Sequence, residues 1–287
     1  MKKSKLTKLI TLALGAIMIF TLAGCGSGSE SGDKDITVIS REEGSGTRDA
    51  FTELTGILED DVDRTADTAE ISNSTSVVLQ SVTGNDAAIG YISLGSLDDS
   101  VKALKVDGAE ATVDNVKSGD YKLQRPFNIV TNGTVEELPQ DFIDYIMSSD
   151  GQKVIEEEGY IMANDSAEAY EARGLSGTIT LAGSTSVSPV MEVLADHYKK
   201  LNSGVTIEIQ QTGSGAGIQS TIEGVCDIGM ASRALEDEEA AEGLESQEIA
   251  LDGIAVIVNN DNSVEDLTTE QIMKIFIGKI TNWSELN

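Results

Sequence analysis

The chain of 287 residues contains one histidine, two cysteines and three prolines, and aromatic side chains make up only 4% of it. So few histidines and cysteines leave no Cys/His spacing typical of a metal site, and no metal or cofactor is expected. His197 lies on the apolar face of a predicted helix over 189–201, which favours a core-edge residue over a catalyst or ligand. The aromatic residues, Trp283 among them, form no stacking platform for nucleic acid or sugar, so we assign them to packing.

Basic residues are also scarce, with 20 lysines and arginines against 49 aspartates and glutamates and a net charge of −29. Such an acidic chain is a poor candidate for binding nucleic acid or an anionic membrane surface. It is equally unsuited to attracting an anion over a long distance. An anion would therefore have to be held by local hydrogen-bond donors, and we interpret the acidic surface as a solubility feature.

Residues 1–24 have the pattern of a secretory signal, in which four lysines precede an apolar run from Leu9 to Leu22. A membrane-spanning helix is disfavoured because the run is short and small and polar residues follow it. The tetrapeptide that ends in Cys25 resembles a bacterial lipobox, which implies cleavage before Cys25 and lipid attachment to its sulfur. Residues 25–34 are then predicted to be a lipid-anchored flexible tether.

Three strand-to-helix turns rich in hydroxyl groups and glycine are the strongest signal in the sequence. Each follows a run of β-favouring residues and precedes apolar residues at helical spacing. Pro189 stands in the first turn of the second predicted helix, where a missing N–H costs least. The turns carry, in chain order, Ser45, Gly46 and Thr47; Ser184, Thr185 and Ser186; and Gly213, Ser214 and Gly215.

The shared order of these turns indicates a common ligand site. One such turn is more typical of ordinary helix capping, but three alike favour a function. In an open α/β sheet they lie at the carboxyl ends of the strands, and their unpaired N–H groups and helix dipoles suit a small tetrahedral oxyanion. Arg41 would add a forked positive charge, the alternative being a solvent salt bridge with Glu42 or Glu43.

Alternation of strands and helices through most of the chain predicts α/β architecture with parallel pairing. A helix is predicted over 135–158, and 164–177 lacks periodicity and is predicted to be a surface connection. The spacing of Gln80-Ser81 to Ile89-Gly90 recurs between Gln219-Ser220 and Ile228-Gly229, which suggests two similar lobes.

Six segments together resemble the substrate-binding protein of the bacterial phosphate ABC transporter: GTITLAGSTSVSP, QQTGSGAGIQ, CDIGMASR, ALDGIAVIVN, FIGKITNW and ISREEGSGTRDAF. The resemblance implies a two-lobed α/β fold of the type II periplasmic-binding-protein kind, with a ligand cleft between the lobes. In that family the AGSTS segment opens the mature protein, and the stretch ending in NW leads into ISREEGSGTR. Here ISREEGSGTR comes first and NW last.

The changed order predicts a circularly permuted chain, in which 164–177 joins the usual ends of the family. One lobe would then be split between 35–99 and 260–287, the other would be contiguous over 100–259, and the two chain ends would be neighbours. A fragment of a tandem fusion is the alternative.

Carried over position by position, the resemblance implies phosphate contacts from Arg41, Ser45, Gly46, Thr47, Thr185, Ser186 and Ser214, with Ser184 and Arg233 as further candidates. Many family members have an aspartate at the position of Arg233, and members with arginine there usually have an aspartate at the position of Asp252. We therefore predict that Asp252 accepts the proton of phosphate, which sulfate lacks. A turn residue before Gly253 is the alternative for Asp252, and a hinge-side ion pair is the alternative for Arg233.

The resulting hypothesis is a lipid-anchored, monomeric receptor on the extracytoplasmic face of the membrane, which traps inorganic phosphate and presents it to an ABC permease. No enzymatic activity and no nucleic-acid partner are expected. Two alternatives stay open. The same fold could bind another oxyanion such as sulfate or molybdate, or the clustered hydroxyls could belong to a phosphate-ester hydrolase, which would need a general base or a metal.

Overall fold

A computed structural model describes residues 34–286. The predicted signal segment, Cys25 and the tether up to residue 33 lie outside the described residues. Within residues 34–286 no helix is both long and apolar enough to cross a membrane.

The described chain alternates strands and helices, as the sequence predicts. The strands are β1 (Thr37–Arg41), β2 (Leu58–Glu59), β3 (Val62–Asp63), β4 (Glu70–Ser72), β5 (Ala88–Ser93), β6 (Val101–Ala103), β7 (Lys105–Val106), β8 (Gln124–Asn132), β9 (Ile161–Met162), β10 (Ser176–Gly183), β11 (Gly204–Gln211), β12 (Ile228–Ala231), β13 (Leu244–Asn259) and β14 (Asp266–Leu267). The α-helices are α1 (Gly46–Thr55), α2 (Thr75–Thr83), α3 (Val113–Ser118), α4 (Glu137–Met147), α5 (Ser149–Glu157), α6 (Ser188–Leu201), α7 (Ser214–Ile222), α8 (Asp237–Ala241) and α9 (Thr269–Phe276).

One long sheet runs through the described chain in the order β11-β10-β12-β8-β13-β5-β1-β4, and β6 and β9 also pair with β13. Its two wings are parallel: β10 pairs with β11 and β12, and β1 pairs with β4 and β5. The 16-residue strand β13 joins them, because its first part pairs antiparallel with β8 and its second part with β5. The carboxyl ends of the parallel strands in both wings are where the predicted turns begin.

Two large hydrophobic cores accompany the two wings. Core A contains buried residues from Phe127 to Ala250, and core B contains buried residues from Val38 to Leu123 together with Ile254 to Trp283. Residues near both ends of the described chain therefore share core B. Leu104 and Leu123, which lie inside the predicted contiguous lobe 100–259, also pack in core B, and the lobe limits stay a prediction. A sequence pattern does not show where a continuous strand such as β13 changes its pairing partner.

The two ends of the described chain contact each other. The N–H of Ile36 donates to the carbonyl of Thr281 at 2.8 Å, and the N–H of Trp283 donates to the carbonyl of Lys34 at 3.1 Å. The indole of Trp283 is buried and donates to the carbonyl of Ala87. A hydrogen-bonded contact therefore places the segment before β1 beside the segment that follows α9.

The single helix predicted over 135–158 is wrong in one respect, because it is divided into α4 and α5 at Ser148. The backbone of Ser148 is extended, with ψ of 166°, and its hydroxyl donates to the carbonyl of Tyr145 while accepting from the N–H of Gly151. Serine competes for backbone hydrogen bonds in this way, which ends one helix and starts the next.

The connection predicted over 164–177 is mostly exposed, but a buried carboxylate anchors it. Asp141 on α4 is fully buried and accepts from the hydroxyls of Tyr170 and Tyr198 at 2.6 and 2.7 Å. Tyr170 also accepts from the side-chain amide of Asn202 at 2.9 Å. The connection is thereby fixed to α4 and to the end of α6.

Replacing Tyr170 by phenylalanine is expected to lower the free energy of unfolding by about 2 kcal/mol. The substitution removes the hydrogen bond to the carboxylate of Asp141 and the hydrogen bond from the amide of Asn202. Chemical denaturation monitored by circular dichroism measures this change. Tyr145→Phe is the matched control, because Tyr145 packs against the Tyr170 ring and its hydroxyl makes no hydrogen bond within residues 34–286. Equal effects of the two substitutions would contradict the role of the hydroxyl.

Candidate oxyanion-binding site

The three predicted strand-to-helix turns are confirmed, with α1 beginning at Gly46, α6 at Ser188 and α7 at Ser214. Local hydrogen bonds give the turns their shape. Ser45 caps α1 by accepting from the N–H of Arg48 at 3.4 Å, and the hydroxyl of Ser184 accepts from the N–H groups of Ser186 and Val187 at 3.2 and 3.3 Å. These two hydroxyls orient the first N–H groups of their helices.

A fourth helix, α2, begins beside the three turns. Strand β4 ends at Ser72, and Ser74 caps α2 by accepting from the N–H of Val77 at 3.3 Å. The hydroxyl of Thr75, in the first turn of α2, lies 3.2 Å from that of Ser186. The positive ends of four helix dipoles therefore meet in one region, and such ends favour negative charge.

Buried hydroxyl groups connect the two halves of the site. The Thr47 hydroxyl lies 2.9 Å from that of Ser186, which brings the turn before α1 onto the turn before α6. On the other side, the hydroxyl of Ser232 lies 3.0 Å from that of Ser184 and 3.3 Å from that of Ser214. We call these groups the hydroxyl cluster, and all its members are buried: Thr47, Thr75, Ser184, Thr185, Ser186, Ser214 and Ser232.

Arg41 supplies a positive charge to this cluster. Its side chain is 2% exposed, and its Nη2 donates to the hydroxyl of Thr185 at 3.0 Å. The Nε and Nη2 groups also donate to the two carboxylate oxygens of Glu42, each at 2.8 Å. A salt bridge with Glu42, one of the two alternatives, is thus present, but it is buried on the arginine side and coexists with the contact to the cluster.

Gly46 permits the close approach of the two halves. A Cβ atom at this position would lie 2.5 Å from the Ser214 hydroxyl oxygen and 2.8 Å from that of Ser232. The N–H of Gly215 donates to the carbonyl of Gly44 at 3.0 Å beside this contact. Only a residue without a side chain fits at Gly46 in this arrangement.

Asp252 makes no side-chain hydrogen bond to the hydroxyl cluster within residues 34–286 and is connected to it through Arg125. It is inside β13 rather than in a turn, and it is 1% exposed. Its Oδ1 accepts from the Ser93 hydroxyl at 3.0 Å, and its Oδ2 accepts from Nε and Nη2 of Arg125 at 3.3 and 3.2 Å. The structure thus brings Asp252 to Arg125, while the predicted contact with phosphate stays a prediction.

Burial raises the pKa of Asp252 to about 6, although Arg125 and Ser93 act in the opposite direction. Hydrogen bonds from Ser100 lower the pKa of the exposed Asp98. We expect carbon-detected NMR titration to give Asp252 a midpoint near pH 6 and Asp98 one below the usual aspartate value. Because the native pKa of Asp252 exceeds that of the unfolded chain, its contribution to the free energy of unfolding falls as the pH rises from about 4 to 6. A midpoint of Asp252 below that of Asp98 would contradict this assignment.

Arg233 also lies outside the hydroxyl cluster. Its guanidinium pairs with Asp49 on α1 at 2.9 Å and with Glu239 on α8 at 2.7 Å. Since α1 packs on core B and α8 follows β12 of the other wing, these contacts are those of an ion pair between the two halves. A second cation at the ligand, the other alternative for Arg233, stays a prediction.

Three residues near the site were not predicted: Thr75, Ser232 and Arg125. Thr75 follows the same pattern of strand, hydroxyl and helix as the three predicted turns, but β4 is only three residues long. Ser232 comes directly after the buried strand β12, a position at which the ends of strands present polar groups. Arg125 stands inside β8 with no local motif, so no sequence signal marks it.

A family model described as the PBP superfamily domain matches residues 26–150 and 168–287. The chain belongs to the PBP superfamily. The phosphate-binding protein PstS 2 of Streptococcus agalactiae is 52% identical to this PBP-superfamily chain over 294 aligned residues, which cover 100% of both proteins. PstS 2 of Streptococcus pneumoniae is 49% identical, covering 98% of this chain and 99% of its own.

A solved structure supports the same family. A crystal structure described as a phosphate ABC transporter, phosphate-binding protein from Streptococcus pneumoniae has 51% identity and a TM-score of 0.72, and the match covers 88% of this PBP-superfamily chain and 100% of that chain. The predicted fold class, an α/β fold of the type II periplasmic-binding-protein kind, is confirmed. By contrast, the phosphate-binding protein PstS of Bacillus subtilis is 35% identical over 125 residues, which are 43% of this chain and 41% of that protein.

Proposed function

We propose that this protein binds inorganic phosphate between two lobes and delivers it to the permease of an ABC transporter. The observation that carries the proposal is the convergence of Arg41 and the buried hydroxyl cluster at the starts of four helices. Relatives that match the whole chain are named phosphate-binding proteins, which supports the same ligand. The protein is a binding protein rather than an enzyme.

The proposed phosphate contacts come from both halves of the site. The first turn leads into α1, which packs in core B, and the second leads into α6, which packs in core A, so closing of the lobes would complete the site. The proposed set is Arg41, Ser45, Gly46 and Thr47 on one side, with Ser184, Thr185, Ser186 and Ser214 on the other. For Ser45 and Ser184 the geometry favours contacts through the N–H groups that follow them.

We further propose that lipid on Cys25 anchors the protein, as a monomer, to the extracytoplasmic face of the membrane. The lipobox-like sequence before Cys25 supports this location. Substitution Cys25→Ser would release the protein from the membrane fraction, which immunoblotting of cell fractions measures.

The segment order is proposed to be circularly permuted. Contacts between residues 34–36 and 281–283 support this idea, since they allow one chain break to be closed without rearranging the fold. A changed segment order would allow only one part of a relative to align at a time. The match to the Bacillus subtilis protein covers less than half of either chain, as this would produce, whereas PstS 2 of Streptococcus agalactiae matches throughout.

A variant in which the segments are returned to the order of the family tests the permutation. Residue 287 is joined to residue 34 by a short glycine-rich linker, and the chain is opened within 164–177. Because the new joint lies at an existing contact, we expect a folded protein with native circular dichroism and phosphate affinity within about threefold of the original. Failure to fold when opened there, with folding when opened at another exposed loop, would contradict the proposed junction.

Isothermal titration calorimetry tests the proposed function directly. The purified protein is unfolded and refolded to remove any bound anion, then titrated with phosphate and, separately, with sulfate and molybdate. We expect saturable binding of one phosphate per chain and affinity for sulfate at least about 100-fold weaker, because a site built around one hydrogen-bonding pattern rejects anions that lack it. Tight sulfate or molybdate binding with phosphate inert would overturn the assignment in favour of another oxyanion.

The hydrolase alternative is tested with a chromogenic phosphate monoester. His197, the sole histidine of the sequence, lies beside Tyr145 and Lys200 rather than beside the hydroxyl cluster, which leaves the hydroxyls without an imidazole base. We expect no turnover. Turnover that Ser45→Ala abolishes would establish the enzyme instead.

A further inference from the structure

A second buried guanidinium lies directly behind the hydroxyl cluster. Arg125 is 2% exposed, and its Nη1 donates to the carbonyl of Ser232 at 3.4 Å. The hydroxyl of the same serine contacts those of Ser184 and Ser214. One residue, Ser232, therefore separates the charge of Arg125 from the groups proposed to hold the anion.

Arg41 and Arg125 contact different members of the hydroxyl cluster, Thr185 and Ser232 respectively. Burial lowers the pKa of the Arg125 guanidinium, and the positive charge of Arg41 acts in the same direction. Each arginine has its own carboxylate partner, Glu42 for Arg41 and Asp252 for Arg125. Two cations with separate counterions thus flank the hydroxyl cluster, and solvent screens a buried charge much less than an exposed one.

The carboxylate of Asp252 contacts another edge of the guanidinium. Arg125 uses Nε and Nη2 for Asp252 but Nη1 for Ser232, so the carboxylate and the hydroxyl cluster contact different edges of one planar group. The other carboxylate oxygen accepts from Ser93. Asp252 therefore orients Arg125 through one oxygen and holds the Ser93 hydroxyl with the other.

Given the proposed phosphate binding, we propose that Arg125 is a second cation that stabilises the bound anion from behind Ser232. Asp252 is then the residue that positions Arg125, and it does not accept the proton of the ligand. A charge that acts without direct contact favours any anion of similar size. Its removal therefore weakens phosphate and sulfate binding alike, whereas loss of a proton acceptor would change the preference between them.

Asp252→Asn separates the two roles. The carboxamide has the same shape, accepts from Arg125 and donates to Ser93, so the fold is expected to be kept. Because a negative charge is removed while Arg125 stays, we expect the affinities for phosphate and sulfate to be unchanged or higher, with their ratio within about threefold of the original. A ratio lowered by about tenfold or more would overturn the proposal, since Asp252 would then contact the ligand.

Two double variants test the charge itself while keeping the buried pair free of an unpaired carboxylate. Arg125→Gln with Asp252→Asn is expected to bind both anions about tenfold more weakly than Asp252→Asn alone. Arg125→Lys with Asp252→Asn keeps the positive charge and is expected to recover most of that loss. Equal affinities of the glutamine and lysine variants would overturn the role of Arg125. The unsubstituted protein, titrated in parallel, shows separately whether phosphate binding itself holds.

Discussion

Replacing Arg41 by alanine is expected to weaken phosphate binding by about 100-fold or more. Arg41 is buried and links Glu42 to the hydroxyl of Thr185. Truncating one partner of a buried, hydrogen-bonded charge pair removes its contacts and leaves the other charge unpaired. Here the unpaired charge is the carboxylate of Glu42, which would repel the anion. Titration calorimetry with phosphate measures the loss.

A second variant separates the two causes. Arg41→Ala with Glu42→Gln removes the cation without leaving the negative charge, so it is expected to recover part of the affinity. Lys153→Ala is the control for net charge, because Lys153 is exposed on α5 and, among residues 34–286, forms an ion pair only with Glu157. Its phosphate affinity should match that of the original protein. Binding by Arg41→Ala within about threefold of the original would show that the Arg41 charge is not used.

The parts of the site that the sequence predicted are those with a local signature. At Ser45–Thr47, Ser184–Ser186 and Gly213–Gly215, a strand, a cluster of small polar residues and a helix follow one another within one short segment. Their convergence also follows from general rules, since parallel strands present their carboxyl ends at the same edge. Thr75 obeys the same rule, and a three-residue strand made it inconspicuous.

The contact between Arg125 and Asp252 was not predicted because it depends on pairing between distant parts of the chain. Arg125 is one arginine within a strand, and its partner Asp252 follows 127 positions later on β13. No periodicity or spacing relates two such residues, because their contact depends on the register of β8 against β13. Ser148 illustrates a smaller effect, in which one hydroxyl divides a helix whose apolar pattern is continuous.

Substitution of Gly46 by alanine is expected to weaken phosphate binding by about tenfold or more, by opposing closure of the lobes. The new Cβ would lie 2.5 Å from the hydroxyl oxygen of Ser214, on the opposite half of the site. That oxygen cannot move freely, because it accepts from the N–H of Ser232 at 3.1 Å. Overpacking of this kind typically costs about 1–3 kcal/mol. Gly46 is the first residue of α1, where alanine favours the helix, so the cost falls on the closed form alone.

Gly215→Ala is the matched control for this effect. Gly215 faces the same boundary from α7, but its Cβ would meet its nearest neighbour, the Cα of Gly44, at 3.5 Å, an ordinary van der Waals contact. Its phosphate affinity should therefore stay close to the original. Small-angle X-ray scattering at saturating phosphate adds a structural readout, in which Gly46→Ala keeps a larger radius of gyration than Gly215→Ala. Equal affinities and equal radii of gyration for Gly46→Ala and Gly215→Ala would show that the hydroxyls of Ser214 and Ser232 can move aside. The close contact at Gly46 would then not limit closure of the lobes.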